Sequence, residues 1–559
     1  LHVRSRRQRQ MCIRDSFKTH EIRKQRELSG LWDFYKEGAQ EDTRKVIVPS
    51  CFETYPGLEN YTGVGCYEYK TFLQGNIRLC FKGVSHTAKV YLDGNPVIEH
   101  YNAYTPFSVV LKGVEKGIHT LKVTADNSCH EESALHVIND YYNYGGISRP
   151  VIAENIGDIF IEWLHFTPCF EENTWKGEAA LCIHNLSKGR RVKIKYYLND
   201  TLLGEAPEEV KEGSNVVKTQ FSFPEVTAYQ PENPVLYYLK AVLEVDGREE
   251  DDLIERIGFR EITVKDGRIL WNGRAICVKG FNRHEDHGLF GCAIPVEAMD
   301  YDLRLIKESG ANAVRTCHYP NDERFLDLCD EMGIMVWEES HARGLSEKQM
   351  RHKNFRSQSL SCIDEMVREH FNHPCIFTWG ILNECASDTE YGREVYQEQY
   401  NRLRELDQSR PLTSATCKHF CDICLDLPDI VSVNIYPLWY NDEPVDECLE
   451  KEYEWIQSAG GKGKPVLVSE IGAGAIAGVH SSCRQKWSEE RQADILREQL
   501  AGVLSHPEYS GVFLWQFSDG RVPDECFYAR PRCMNNKGVV DEYRRKKLGF
   551  EAVKEAFGK

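Results

Sequence analysis

No window of this 559-residue chain is apolar for long enough to form a membrane-spanning helix. Basic charge is also short: 69 Lys and Arg face 86 Asp and Glu, a formal net charge of −17. Nucleic acid and anionic membranes are therefore not expected partners. An anionic substrate would have to be met by locally placed Lys or Arg. The HExxH spacing of a zinc hydrolase is missing, although His284-Glu285-Asp286-His287 looks superficially like a ligand cluster. No metal is expected. The Cys–Trp–Cys pattern of an antibody-type domain is missing too. Cysteine itself is plentiful. The 21 residues are odd in number and scattered, many inside predicted strands and helices, such as Cys317, Cys329 and Cys375. That usage fits reduced thiols in a cytoplasmic protein better than a disulfide framework.

At 41% hydrophobic and 28% charged residues, the composition is ordinary for a globular protein. The length calls for two to four domains. Residues 1–16 hold five arginines and one acid and lack the apolar core of a secretory signal. MCIRDS resembles translated sequencing-adapter sequence, so this stretch reads as non-native or disordered. From 17 to 163, short alternating runs such as AKVYLDGNPV and HTLKVTADN predict a β-sandwich, with a hairpin turn at Asp93-Gly94-Asn95. From 164 to 263 a second set of runs is spaced like a small immunoglobulin-type sandwich.

From 264 to 559 the pattern changes. Strand-like runs alternate with amphipathic helices, which signals βα units. Eight strands are predicted, at 276–282, 311–317, 334–340, 375–384, 411–417, 429–437, 465–472 and 510–519. Gly310 and Gly333 stand where helix C-caps belong. Eight such units in about 290 residues make a (β/α)₈ barrel. Two of the predicted strands run into a carboxylate: CIFTWGILNE into Glu384, and PVLVSEIG into Glu470. The carboxyl ends of barrel strands form the catalytic face. Two carboxylates there are the minimal machinery for cleaving a glycosidic bond. The competing reading is a pair of strand-end acids that cap loops or form salt bridges. Cys417, Cys421 and Cys424 have the spacing of a radical iron–sulfur site. That motif belongs after the first barrel strand, and here it follows the fifth, so incidental thiols are expected.

Several long motifs carry a resemblance: NDYYNYGGISRP (139–150), VKGFNRHEDHG (278–288), NAVRTCHYP (312–320), WGILNE (379–384), VSEIG (468–472) and MNNKG (534–538). Through them the chain, from about Glu27 onward, resembles glycoside hydrolase family 2 and, within it, the bacterial β-glucuronidases. The resemblance implies an N-terminal jelly-roll sugar-binding domain, an Ig-like domain and a catalytic TIM barrel. It implies retaining hydrolysis of β-glucuronides, with Glu384 as acid/base, Glu470 as nucleophile and no cofactor. It also implies a homo-oligomer, dimer or tetramer. Asn535 and Lys537 match the pair that contacts the C6 carboxylate. Where some relatives place a further arginine, this chain has Pro531 between Arg530 and Arg532, and Arg532 is the candidate substitute. Asp140, His318, Asn383, Tyr436, Tyr440 and Trp515 are the other expected substrate contacts, with His284 nearby. Each has a plainer reading as a cap, rim or core residue. The segment 341–358 is short and lacks a long apolar insertion, which implies an open site. The alternatives are the same fold acting on β-galacturonides or β-galactosides, and a catalytically inactive carbohydrate-binding protein. Both glutamates being present argues against the last.

Overall fold

The computed structural model describes residues 17–558. The segment 1–16, read as non-native, lies outside the described residues. Alternation organises the first third of the chain. Val64–Phe81 and Phe107–Asp126 pair antiparallel along nearly their whole length. Their inward residues, including Tyr67, Leu79, Phe81, Leu121 and Val123, are buried with Trp32 and Phe34. The expected hairpin forms: Thr87–Leu92 and Asn95–Tyr101 close through Leu92 and Asn95. Asp93 and Gly94 take φ of 51° and 83°, as a two-residue type I′ turn requires.

A second sandwich sets the sheet of Ile159–Glu171, Thr174–Asn185 and Gly213–Phe223 against a four-stranded sheet ending in Arg248–Ile257. Leu181, Ile194, Leu239 and Leu243 fill the space between. Ile159–Glu171 runs through the expected boundary at 163/164, because it pairs with Thr174–Asn185. Strand pairing therefore passes from one sandwich to the next at Gly157-Asp158.

The rest is a closed barrel of eight parallel strands in chain order. They are β1 (Val278–Arg283), β2 (Ala313–Thr316), β3 (Met335–Glu339), β4 (Ile376–Ile381), β5 (Leu412–Thr416), β6 (Ile430–Asn434), β7 (Val466–Ile471) and β8 (Tyr509–Leu514). Both faces of each strand are covered, which is why the strands read as continuous apolar runs. Val278, Trp337, Phe377, Leu467 and Phe513 fill the end where the strands begin, and Tyr229 and Trp271 pack against them. Val314, Val336, Val431 and Val468 pack outward in the cluster that includes the helices. Polar residues gather at the other end, where Arg315, Glu339, Asn434 and Glu470 are all buried. Three predicted strands end well short, β6 among them at Asn434 rather than 437. β4 stops at Ile381, because Leu382 and Glu384 take left-handed φ of 36° and 54°. β8 stops at Leu514 rather than 519.

The first sandwich is locked onto the barrel mouth by the ISRP and HED motifs. Arg149 donates to Glu285 at 2.8 Å and to the carbonyls of Tyr104 and Pro320. Tyr144 donates to Asp286 at 2.9 Å. Histidines pack the same seam: His86 stacks on His136 at 4.2 Å, and His136 meets His341 edge-on at 4.4 Å. Burial pushes His86 down to about 4, with His130 adding and Asp126 opposing. Burial holds His341 at about 3 and His136 well below its ordinary value. These imidazoles take up protons in the unfolded chain first, so stability falls as pH drops below about 6.5. His86 alone should account for a loss on the order of 2 kcal/mol at pH 5. Chemical denaturation at pH 7 and pH 5 reads this directly. His136→Asn should flatten the dependence, and an unchanged slope would place the acid sensitivity elsewhere.

Candidate active site

Glu470 sits on β7, one residue before its end, and is 3% exposed. Its Oε1 accepts from Arg315 Nη1 at 3.0 Å and its Oε2 from Tyr436 Oη at 2.7 Å. Burial pushes this carboxyl up to about 7, the charge of Glu384 adds to the shift, and Arg315 opposes it. Arg315 is the hub of the floor. It also donates to Glu339 at 2.8 Å, to Asn282 at 2.9 Å and to Asn383 at 2.7 Å. Its guanidinium lies over the Trp337 ring at 4.6 Å. Such a fork fixes several acceptors in one plane.

Glu384 lies three residues past β4. The turn that carries it is held on both sides: Asn383 N donates to Ala342 O at 3.0 Å and Glu384 N to Ala415 O at 2.9 Å. A left-handed non-glycine residue costs about 1–2 kcal/mol, and such strain collects at functional sites. Glu384 Oε1 accepts from Asn434 Nδ2 at 2.9 Å, and Oε2 lies 3.4 Å from Arg343. Asn434 also reaches Asn383 Oδ1 at 3.2 Å. One chain of hydrogen bonds thus runs from Glu384 through Asn434, Asn383 and Arg315 to Glu470. Asn383 Nδ2 is buried without a partner among the described residues.

Both glutamates line a cavity of about 390 Å³ together with Asp140, Arg343, Tyr436 and Lys537. Asp140 arrives from the first sandwich. It pairs with Arg343 at 3.0 Å and Arg530 at 2.8 Å. Although burial opposes it, these two arginines hold its carboxyl well below the ordinary range. Lys537 is 4% exposed. Its Nζ donates to Tyr440 Oη at 2.6 Å and lies over the rings of Tyr436 and Tyr440 at 4.9 and 4.8 Å. Among the described residues no carboxylate pairs with it, and burial lowers its pKa. Asn535 Nδ2 reaches Asp140 at 3.4 Å, and its Oδ1 has no partner among the described residues. Gly538 is needed because a Cβ there would lie 2.2 Å from Asp519 N. The loop can therefore press against the chain beyond β8 and turn Lys537 inward.

Trp515 lines the cavity one residue past β8 and stacks on His318 at 5.2 Å. His318 Nδ1 meets Glu339 Oε1 at 2.9 Å. Arg532 is not brought into the site. It has φ of 66°, donates to Glu542 at 2.8 Å, and does not line the cavity, whereas Arg530 does. Of the two arginines flanking Pro531, it is therefore Arg530 and not the candidate Arg532 that reaches Asp140. Of the radical-site spacing, Cys417 lines the cavity, Cys421 is exposed and Cys424 is buried on Ser387 O.

Among the residues of this site not singled out from sequence are Arg315, Glu339, Arg343 and Asn434. Arg315 carried a signal, a lone charge inside the apolar run ANAVRTC. Arg343 carried none, since it stands in an irregular segment.

Comparison with known proteins agrees with this geometry. The family model described as "Glycosyl hydrolases family 2, TIM barrel domain" matches residues 262–559. A family 2 β-galacturonidase from Eisenbergiella tayi, solved bound to galacturonate, is 52% identical, with TM-score 0.95 over 97% of this chain and 98% of that one. A β-glucuronidase from Streptococcus agalactiae is 27% identical over 88% of this chain and 90% of its own length. A β-D-glucuronidase structure from Dictyoglomus thermophilum is 25% identical, with TM-score 0.85 over 97% of this chain and 98% of that one. With its sandwich domains, its barrel and this family match over more than half its length, the chain belongs to glycoside hydrolase family 2.

Proposed function

We propose that the chain is a retaining exo-β-uronidase that acts on β-D-galacturonides ahead of β-D-glucuronides. The observation that carries the uronide reading is Lys537, a buried ammonium in the cavity with no carboxylate to pair with among the described residues. An unpaired buried cation is costly. The C6 carboxylate of a uronic acid would supply the missing charge, with Asn535 beside it, whereas a neutral CH₂OH would not. The preference for galacturonides rests on the relative at 52% identity. It replaces glucuronides, the first expectation, whose relatives stand near 25–27%.

In this reading Glu470 attacks the anomeric carbon and forms a glycosyl ester. Glu384 protonates the departing oxygen, then takes a proton from the water that cleaves the ester. Arg315 and Tyr436 hold the Glu470 carboxylate in place and favour its anion against burial.

The test compares kcat/KM on p-nitrophenyl β-galacturonide, β-glucuronide and β-galactoside. The order expected is galacturonide, then glucuronide, with galactoside far behind. A hydrogen bond to a charged group is worth about 1.5–3 kcal/mol. Lys537→Ala should therefore lower kcat/KM on the acid sugars by roughly 10–100-fold or more and leave the galactoside at its baseline. Equal losses on charged and neutral sugars would make Lys537 structural and return the protein to a β-glycosidase of unspecified substrate.

A further inference from the structure

His284 and His287 do not form a zinc-hydrolase pair, yet folding brings His284, one residue past β1, beside Cys317 and His318, one and two residues past β2. His284, Cys317 and His318 each offer one ligand atom, all within 4.8 Å of one another, and all three residues are buried. We propose that this cluster is an inhibitory site for a borderline-soft divalent cation such as zinc, set behind Trp515, which packs on both histidines and lines the sugar pocket.

The donor set suits that metal class: two imidazoles and a thiolate are ligands that zinc takes in four-coordinate sites. The imidazoles are already held from behind. His318 is held through Nδ1 by Glu339 at 2.9 Å, and His284 through Nδ1 by Tyr319 Oη at 3.1 Å. An oxygen partner on one nitrogen is the arrangement that orients a metal-binding histidine and fixes its tautomer. On both rings the opposite nitrogen, Nε2, is buried and has no partner among the described residues. The two rings stand nearly perpendicular, 5.4 Å apart, with Trp515 against both. Bonds of about 2.0–2.3 Å need ligand atoms roughly 3.3–3.8 Å apart. The three side chains must therefore close by about an ångström, and the Cys317 thiol must release its proton to solvent as the metal–sulfur bond forms.

The second buried triad, Asp330, His373 and Cys375, differs in this respect. Asp330 spends one oxygen on His373 at 2.6 Å and the other on the Cys375 backbone at 2.9 Å. It is a satisfied clamp with no donor to spare.

The consequence is competition. His318 is an expected sugar contact, and Trp515 beside it lines the cavity. An Nε2 bound to metal cannot also serve a sugar hydroxyl, and a cation there displaces the sugar. Three ligands leave a fourth position for water.

Cobalt(II) titrated into the full-length protein is the direct probe: the band itself is independent of the uronidase reading, while its response to galacturonate rests on that reading and is read once galacturonate is shown to inhibit the metal-free enzyme. One equivalent should give a thiolate-to-cobalt absorption band. Galacturonate in excess should abolish that band, and Cys317→Ser should remove it. Zinc should raise KM with kcat unchanged, reversibly on chelation. Cys317→Ser, with uninhibited activity retained, should weaken inhibition at least 10–100-fold, since even outer-shell partners are worth about that much. If Cys317→Ser does not fold, the wild-type band and its response to galacturonate still decide. A band absent from the wild type overturns the site. So does a band indifferent to galacturonate, one that survives Cys317→Ser through exposed thiols such as Cys421 or Cys483, or inhibition of kcat alone.

Discussion

Glu470→Gln should abolish turnover while leaving substrate binding and the thermal midpoint nearly intact. Removing a nucleophile from an otherwise assembled site costs about 10⁴–10⁶-fold in kcat, roughly 5–8 kcal/mol of transition-state stabilisation. The amide keeps the shape, and its oxygen still accepts from Arg315, so the floor stays assembled. What disappears is the charge that attacks the anomeric carbon. An activated fluorinated uronide should accumulate as an ester on the wild-type enzyme, and peptide mapping should find it on Glu470. A label on Glu339, the other buried acid bound to Arg315, would reassign the nucleophile. Substantial residual activity in the variant would remove Glu470 from the chemistry altogether.

The second large effect belongs to Glu384, and it depends on the leaving group. Positioned proton transfer contributes about 10²–10⁴-fold. Glu384→Ala should lose that factor on alkyl or sugar aglycones, whose oxygen must be protonated to leave. An activated phenol leaves without help, so its first step should be nearly unaffected while breakdown of the ester slows. Azide fits the space vacated by the carboxylate and needs no base. It should restore turnover and give the β-configured glycosyl azide, the product of two inversions. Equal losses on both kinds of leaving group, or an α-azide, would contradict the roles assigned to the two glutamates. The pairing of Glu384 with Asn434 and Arg343 places it apart from the Arg315–Tyr436 grip on Glu470.

Much of the architecture was legible because its signals are local. Alternation marks the sandwiches, and continuous apolar runs between amphipathic helices mark a barrel whose strands are covered on both faces. Glu470 could be found because its strand is regular to the end. Glu384 was found as well, but its backbone was misread. The segment Ile381-Leu382-Asn383 carries no mark of the left-handed turn at Leu382 and Glu384, since that turn is imposed by hydrogen bonds to Ala342 and Ala415.

The sequence by itself determined the order of elements and placed two carboxylates at strand ends and an Asn-x-Lys loop near the C-terminus. Those depend on periodicity and on residue type at neighbouring positions. Only the tertiary structure decided which groups meet. It put Arg530 rather than Arg532 on Asp140. It made Arg315 the common partner of Glu339, Asn383 and Glu470, residues far apart in the chain that closing the barrel brings to one floor. It also set His284 beside Cys317 and His318, because adjacent parallel strands bring their ends together whatever their separation in sequence. Hydrogen bonding, ion pairing and metal coordination act over a few ångströms, and at that range the fold chooses the partners.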